Sequence, residues 1–181
     1  MIDVLPPDTQ RLTFRRFGAA DVEPMHSYQS RDDYARFAWR GPRDREDCER
    51  AVSEHSSPRP WERDGDAARF AVSPRGSSEL VGEIVLTLAD AGSAQVEIGW
   101  VVHPDHAGKG YASEAARAAL EFAFAALGAH RVFGRLDALN VSSARVCERI
   151  GMRLEATLRE SHFQLGEWRD ELIYAILADE A

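Results

Sequence analysis

Through the centre of the chain apolar residues come in short alternating runs, and beyond residue 111 they recur at three- and four-residue spacing. The first pattern predicts strands and the second helices. Strands are expected over 70–73, 80–88 and 96–102, separated by Pro74-Arg75-Gly76 and Asp90-Ala91-Gly92. Those separators carry turn chemistry, so the three strands read as an antiparallel meander. The helix expected over 111–127 carries Ala112, Ala116, Ala119, Leu120, Ala123 and Leu127 on one stripe and Glu114, Arg117 and Glu121 on another. Its alanine face can lie close on a sheet. The strand at 131–137 follows a helical crossover and is therefore expected to run parallel to 96–102. A helix over 142–150 and strands near 153–163 and 170–177 complete this half. In the other half a strand over 9–17, with Leu12 and Phe14 on one face, precedes helices over 19–29 and 43–55, and Ser56 to Pro60 is a loop. The sum is an α/β fold, with a mixed, mostly antiparallel central sheet and helices on both faces. One domain over 1–181 is expected, since this length gives one good core.

The most informative stretch runs from Glu97 to Ala115. An apolar strand breaks at His103-Pro104, and a helix starts directly after Ala107-Gly108-Lys109-Gly110. Gly108 and Gly110 lack side chains, so the amides from Gly108 to Ala112 can converge on one point, where the positive end of the following helix dipole also lies. An anion belongs there, and a diphosphate fits best. Lys109 adds a donor and Ser113 a hydroxyl. The spacing is neither a dinucleotide fingerprint nor a P-loop, since it has no third glycine followed by an acidic residue and no terminal Gly-Lys-Ser/Thr.

The segment resembles the acetyl-coenzyme A loop of the GNAT acetyltransferase superfamily, Gln/Arg-x-x-Gly-x-Gly/Ala. Gly110 and Ala112 match, whereas Ala107 stands where Gln or Arg is usual. Asn140-Val-Ser-Ser143-Ala-Arg-Val-Cys-Glu148-Arg-Ile-Gly151-Met152 resembles the later family motif, Asn-x-x-Ser followed by a short amphipathic helix. There Asn140 is placed as N-cap and Gly151 as left-handed C-cap. Gly166 to Leu177 resembles the last strand of the RimJ/RimL-type branch, and Thr9 to Phe17 its first.

The resemblance implies an N-acetyltransferase that moves an acetyl group from acetyl-CoA directly to a primary amine, a protein N-terminus or a small molecule. Cofactor contacts then fall to Val101, Val102, Ala107, Gly108, Lys109, Gly110, Tyr111, Ala112, Ser113 and Asn140. The strand is expected to splay at a bulge, with Gly99 as its place. A backbone amide at Val101 or Val102 would polarise the thioester carbonyl. Glu97 is the first candidate for general base and Glu83 the second; for Glu97 an ion pair is the structural alternative. The family's usual tyrosine acid is replaced by Cys147, read here as a packed thiol. Ser143 is either a thiol-side donor or a helix cap. Tyr34, Trp39 and Trp61 either line the acceptor pocket or pack under a loop, and His162 lies toward the acceptor end. Arg117, Arg145 and Arg149 either meet the coenzyme's 3′-phosphate or stay solvated.

Net charge and cysteine use refine this picture. The formal charge of −8 and pI near 5.3 argue against a nucleic-acid surface and favour a cationic amine as acceptor. Cys48 and Cys147 lack metal or redox spacing, which fits a reducing cytoplasm, and His103 with His106 lacks a third ligand, so no metal is expected. No apolar run has the length of a membrane span, and no signal pattern is present. A homodimer through the final strands or the aromatic patch over 34–39 is a further expectation from the resemblance. Two rivals remain: an acyl-CoA-binding sensor that keeps the fold without turnover, and an enzyme that transfers a longer acyl group.

Overall fold

The computed structural model describes residues 1–38 and 40–181. Among them seven strands form one sheet in the order β1-β2-β3-β4-β5-β7-β6. The strands are β1 Leu12–Arg15, β2 Ala67–Pro74, β3 Gly82–Asp90, β4 Gln95–Val102, β5 Arg131–Asp137, β6 Arg153–Gln164 and β7 Glu167–Leu177. The predicted meander is β2-β3-β4. All neighbours are antiparallel except β4 and β5. These two run parallel because α4 (Tyr111–Ala125) crosses between them.

Each face of the sheet is covered. On one face α4 and α5 (Val141–Arg149) pack Ala116, Ala119, Leu120 and Val146 against Phe14, Phe70, Ile84, Ile98 and Val132. On the other, α1 (Val22–Gln29) and α3 (Arg45–Glu54) bury Met25, Tyr28, Cys48 and Val52 against Phe17, Ala71 and Leu80. A 3-10 turn over Ala19–Asp21 leads into α1, which accommodates Pro24 because its first turn needs no amide there. The one-turn helix α2 (Asp32–Ala35) falls where the sequence has no clear period. Both cysteines are free and buried on separate helices.

Two expectations need correction. The bulge expected at Gly99 is absent: the β3–β4 register runs unbroken from Gly82↔Val102 to Leu88↔Val96, and its irregularity lies at Leu88/Asp90. The strand β1 is also shorter than 9–17, since Thr9 and Arg11 turn instead toward α4.

His55, buried at the end of α3, titrates at about 4 because burial disfavours its charged form and Arg69 repels it. The unfolded chain takes up this proton near pH 6.5 and the folded chain does not, so acidification favours unfolding. Between pH 7.5 and 5 the loss should reach about 2 kcal/mol, above the range where carboxylates contribute. Denaturant titrations at the two pH values check this, and His55→Leu should flatten the slope.

Candidate active site

The site begins where the sheet comes apart. β4 and β5 pair only at Gln95↔Arg131, Val96↔Val132 and Glu97↔Phe133. Beyond that point both continue, β4 held by β3 and β5 by β7. Strand alternation decides which groups of β4 face the gap. His103 N–H donates to the Val81 carbonyl at 2.9 Å, on the β3 side. The Ile98 carbonyl points the other way, 3.4 Å from where a Cβ on Gly134 of β5 would stand. The amides and carbonyls of Trp100 and Val102 therefore open into the cleft, while Val101 turns its backbone to β3. Of the two residues expected to offer an amide, only Val102 is so placed.

The loop closes the wide end of the cleft. Pro104–His106 forms a 3-10 turn capped by His103, Ala107 is extended, and Gly108 and Gly110 take left-handed φ of 76° and 81°. Among the described residues, no amide from Gly108 to Ser113 donates to a backbone carbonyl. These free donors sit at the N-terminus of the 15-residue α4, the geometry that holds an anion. From behind, Arg11 donates to the Lys109 carbonyl at 3.0 Å, pairs with Glu114 and lies 5.2 Å from the Tyr111 ring centre. Burial opposes the charge on Glu114, but hydrogen bonds from Thr9 and Arg11 outweigh it and hold its carboxyl below the ordinary range.

A second helix N-terminus, that of α5, follows the end of β5. Asn140 Oδ1 accepts from the Ser143 amide at 3.1 Å and from Ser142 Oγ at 2.8 Å, which makes Asn140 the cap. Ser143 is thus not the cap, and its hydroxyl has no partner among the described residues. Cys147 is fully buried, and burial pushes its thiol up to about 12, as a packed thiol should behave.

The two candidate bases stand differently. Glu97 is held by Arg135 through two bonds of 3.0 and 3.1 Å, at the level where β4 and β5 are still paired. Glu83 lies opposite Val101, at the open level and on the face covered by α1 and α3. Its side chain is wholly buried; Oε1 accepts from Arg69 at 2.7 Å and Gln29 at 3.0 Å, and Oε2 has no partner among the described residues. The Tyr28 ring beside it packs edge-on to both Tyr34 and His103, at 5.6 and 5.1 Å. Burial and the Glu83 charge hold the Tyr28 phenol well above its ordinary pKa.

The profile of the acetyltransferase (GNAT) domain matches residues 11–153. An uncharacterised N-acetyltransferase of Bacillus subtilis, YnaD, is 34% identical over 172 residues, covering 95% of this chain and 96% of that one. A GNAT-family acetyltransferase structure from Bacillus anthracis superposes with a TM-score of 0.84 at 35% identity, over 96% and 98% of the two chains. The chain belongs to the GNAT acetyltransferase family. It is an acyltransferase. The Vibrio cholerae spermidine N-acetyltransferase in complex with CoA and spermine shares the fold, with a TM-score of 0.80 at 21% identity over 95% and 98% of the chains.

In this acetyltransferase the structure brings Glu83, Val101, Val102, Tyr111 and Ala112 together around one small pocket, whereas Gly110 and Ser113 line another with Thr9 and Arg117, and Asn140 and Ser143 stand at the start of α5. Other candidates are occupied elsewhere. Arg117 donates to the Arg149 carbonyl, tying α4 to the end of α5. His103 contacts Ser27 and the Asp105 amide, while His106 contacts Lys109 and Glu79. Among the described residues no three side chains cluster as metal ligands. Trp61 packs on the α4 face, away from Tyr34, and Trp39 lies outside the described residues. His162 sits on β6, 3.9 Å from Asp137. Residues around Glu83 that periodicity did not reveal are Gln29, Arg40 and Arg69; Arg11 behind the loop is another. They lie far apart in the chain, and no short sequence signal marks them.

Proposed function

We propose that this acetyltransferase transfers an acetyl group from acetyl-CoA to a primary amine within the split between β4 and β5. The observation that carries this reading is the run of free amides from Gly108 to Ser113 at the N-terminus of α4, directly beyond the open edge of β4. The diphosphate would lie on those amides, and Ala107 would contribute only backbone. The pantetheine arm, which resembles a peptide, would add along the open edge of β4 near Trp100 and Val102, reaching the Asn140 side chain across the cleft. The Val102 amide would polarise the thioester carbonyl.

The amine nitrogen then attacks the acetyl carbon, the C–S bond breaks, and the amine's proton passes through water to Glu83. Ser143, whose hydroxyl is not the cap of α5, would donate to the leaving thiolate. Glu83 replaces Glu97 as first choice because it flanks the open level of the cleft and keeps one oxygen unengaged.

The likeness of the first and last strands to the RimJ/RimL-type branch supports placing the chain there, and buried free cysteines fit a cytoplasmic setting. Self-association would use β6, an edge strand that exposes Leu154, Leu158 and Phe163.

Titration calorimetry with acetyl-CoA tests the reading. A side chain at Gly110 would start at a left-handed φ and 3.4 Å from Arg11 Nη2, so Gly110→Trp should displace Arg11, distort the cradle and weaken binding by at least about tenfold in a protein that still melts cooperatively. Wild-type affinity in that variant would move the coenzyme elsewhere. Binding without acetylation of any amine in a broad panel would favour the sensor, and tighter competition by longer thioesters would favour the longer-acyl enzyme.

A further inference from the structure

The guanidinium groups beside Glu83 outnumber their carboxylates. Arg69 is matched by Glu83. Arg40 is not matched: its Nη2 donates to two neutral acceptors, Gln29 Oε1 and the Tyr34 hydroxyl, each at 2.8 Å. Its Nη1 is buried with no partner among the described residues. Arg43 has Met25 Sδ at 3.7 Å as its side-chain contact. Burial, then repulsion from Arg40 and Arg69, lowers its affinity for a proton. The remaining titratable neighbours do not offset this excess, since burial keeps His55 and the Tyr28 and Tyr34 phenols neutral at pH 7.

Elsewhere the same chain pairs its arginines readily, as at Arg11–Glu114, Arg15–Asp21 and Arg31–Asp33. With 30 acidic against 22 basic residues, acidic partners are not scarce. A half-buried guanidinium without an anion is costly, and an oxyanion with two oxygens is its natural complement.

The cluster also adjoins the transfer point. Tyr28 touches His103, just past the end of β4, and Tyr34; the Arg40 guanidinium lies 5.5 Å from the Tyr34 ring centre. Two aromatic rings thus separate the open level of β4 from Arg40.

We infer that the acceptor is an amino carboxylate: its amine faces the thioester beside Glu83, and its carboxylate, several bonds away, is received by Arg40 and Arg43. This rests on the proposed use of the α1/α3 face as the acceptor side and names the acceptor's class. The overall negative charge draws an amine toward the protein, and the local excess of guanidinium selects among amines. A polyamine would bring a second cation against Arg40.

The test uses matched probes of three to six carbons, ω-amino acids and the diamines of the same length, with thiol release as readout. At the best length the amino acid should exceed its diamine in kcat/KM by about tenfold or more. Arg40→Met and Arg43→Met, each confirmed folded by its melting curve, should shrink that ratio toward one, mainly through KM. Diamines preferred or equal in the wild type, or a ratio that neither variant changes, would overturn the inference. Calorimetric titration of the same pairs into CoA-saturated protein reads selection without turnover. Amino acids that fail to bind there overturn the inference, while acetylation of a simple monoamine leaves the transferase reading standing. Failure to bind acetyl-CoA at all overturns both.

Discussion

Replacing Glu83 with Gln should lower kcat by about 10²–10⁴-fold while leaving the affinity for acetyl-CoA unchanged, the loss typical of a missing general base. The same substitution unpairs the buried Arg69, so stability should also fall, by up to about 3–5 kcal/mol. The two effects separate in a double variant. Adding Arg69→Met removes the orphaned charge and should restore most of the melting temperature, yet turnover should stay low because the proton acceptor is still missing. Recovery of activity along with stability would reduce Glu83 to a structural role. Glu97→Gln supplies the contrast: it loosens an ion pair with Arg135 and should change kcat less than about threefold, the size expected of a half-exposed pair. A collapse of kcat in Glu97→Gln instead would return the base to Glu97.

Gly82→Ala should be the most damaging single methyl in the chain. A Cβ at Gly82 would overlap the Val101 carbonyl oxygen, far inside van der Waals contact, and would press on the Val102 Cα. Neither atom belongs to a flexible side chain, so β3 and β4 would have to part. The expected cost is about 1–3 kcal/mol from overpacking. Because the strand that must move carries the Trp100 and Val102 amides, acetyl-CoA affinity should drop at least tenfold as well. Melting curves and calorimetry on the same preparation check both, and unchanged values would mean that the end of β4 yields freely.

Local chemistry in the chain announced much of this architecture. The alanine stripe after residue 111, the turn residues at 74–76 and 90–92, the capping Asn140 and the left-handed Gly151 each act within a few residues of themselves. They appear as expected in α4, the meander and α5. Strand starts were harder. Ala67-Ala68-Arg69 belongs to β2 but carries too little apolar contrast to show alternation.

The candidate site divides the same way. Gly108 and Gly110 are legible because backbone freedom is a property of the residue itself. Which glutamate flanks the cleft is not, since it depends on where β4 and β5 stop pairing, a relation between segments some 36 residues apart (131 − 95). The Gly99 expectation failed for that reason: the strands part without any irregularity of the β3–β4 ladder between Gly82↔Val102 and Leu88↔Val96. Gln29, Arg40, Arg69 and Glu83 meet only through the packing of α1 and its following segment on the sheet, and no short window contains two partners of the Glu83 carboxylate.

The β4–β5 seam has a mechanical consequence. Among the described residues three pairs join the β1–β4 leaf to the β5–β7–β6 leaf across the sheet, so the sheet itself is two plates on a short hinge, backed by the core that α4 and α5 share with both. Any molecule that bridges the plates above that hinge acts as a splint. Amide exchange at Val96 and Val132 should therefore slow when the cleft is filled, although neither residue touches the ligand.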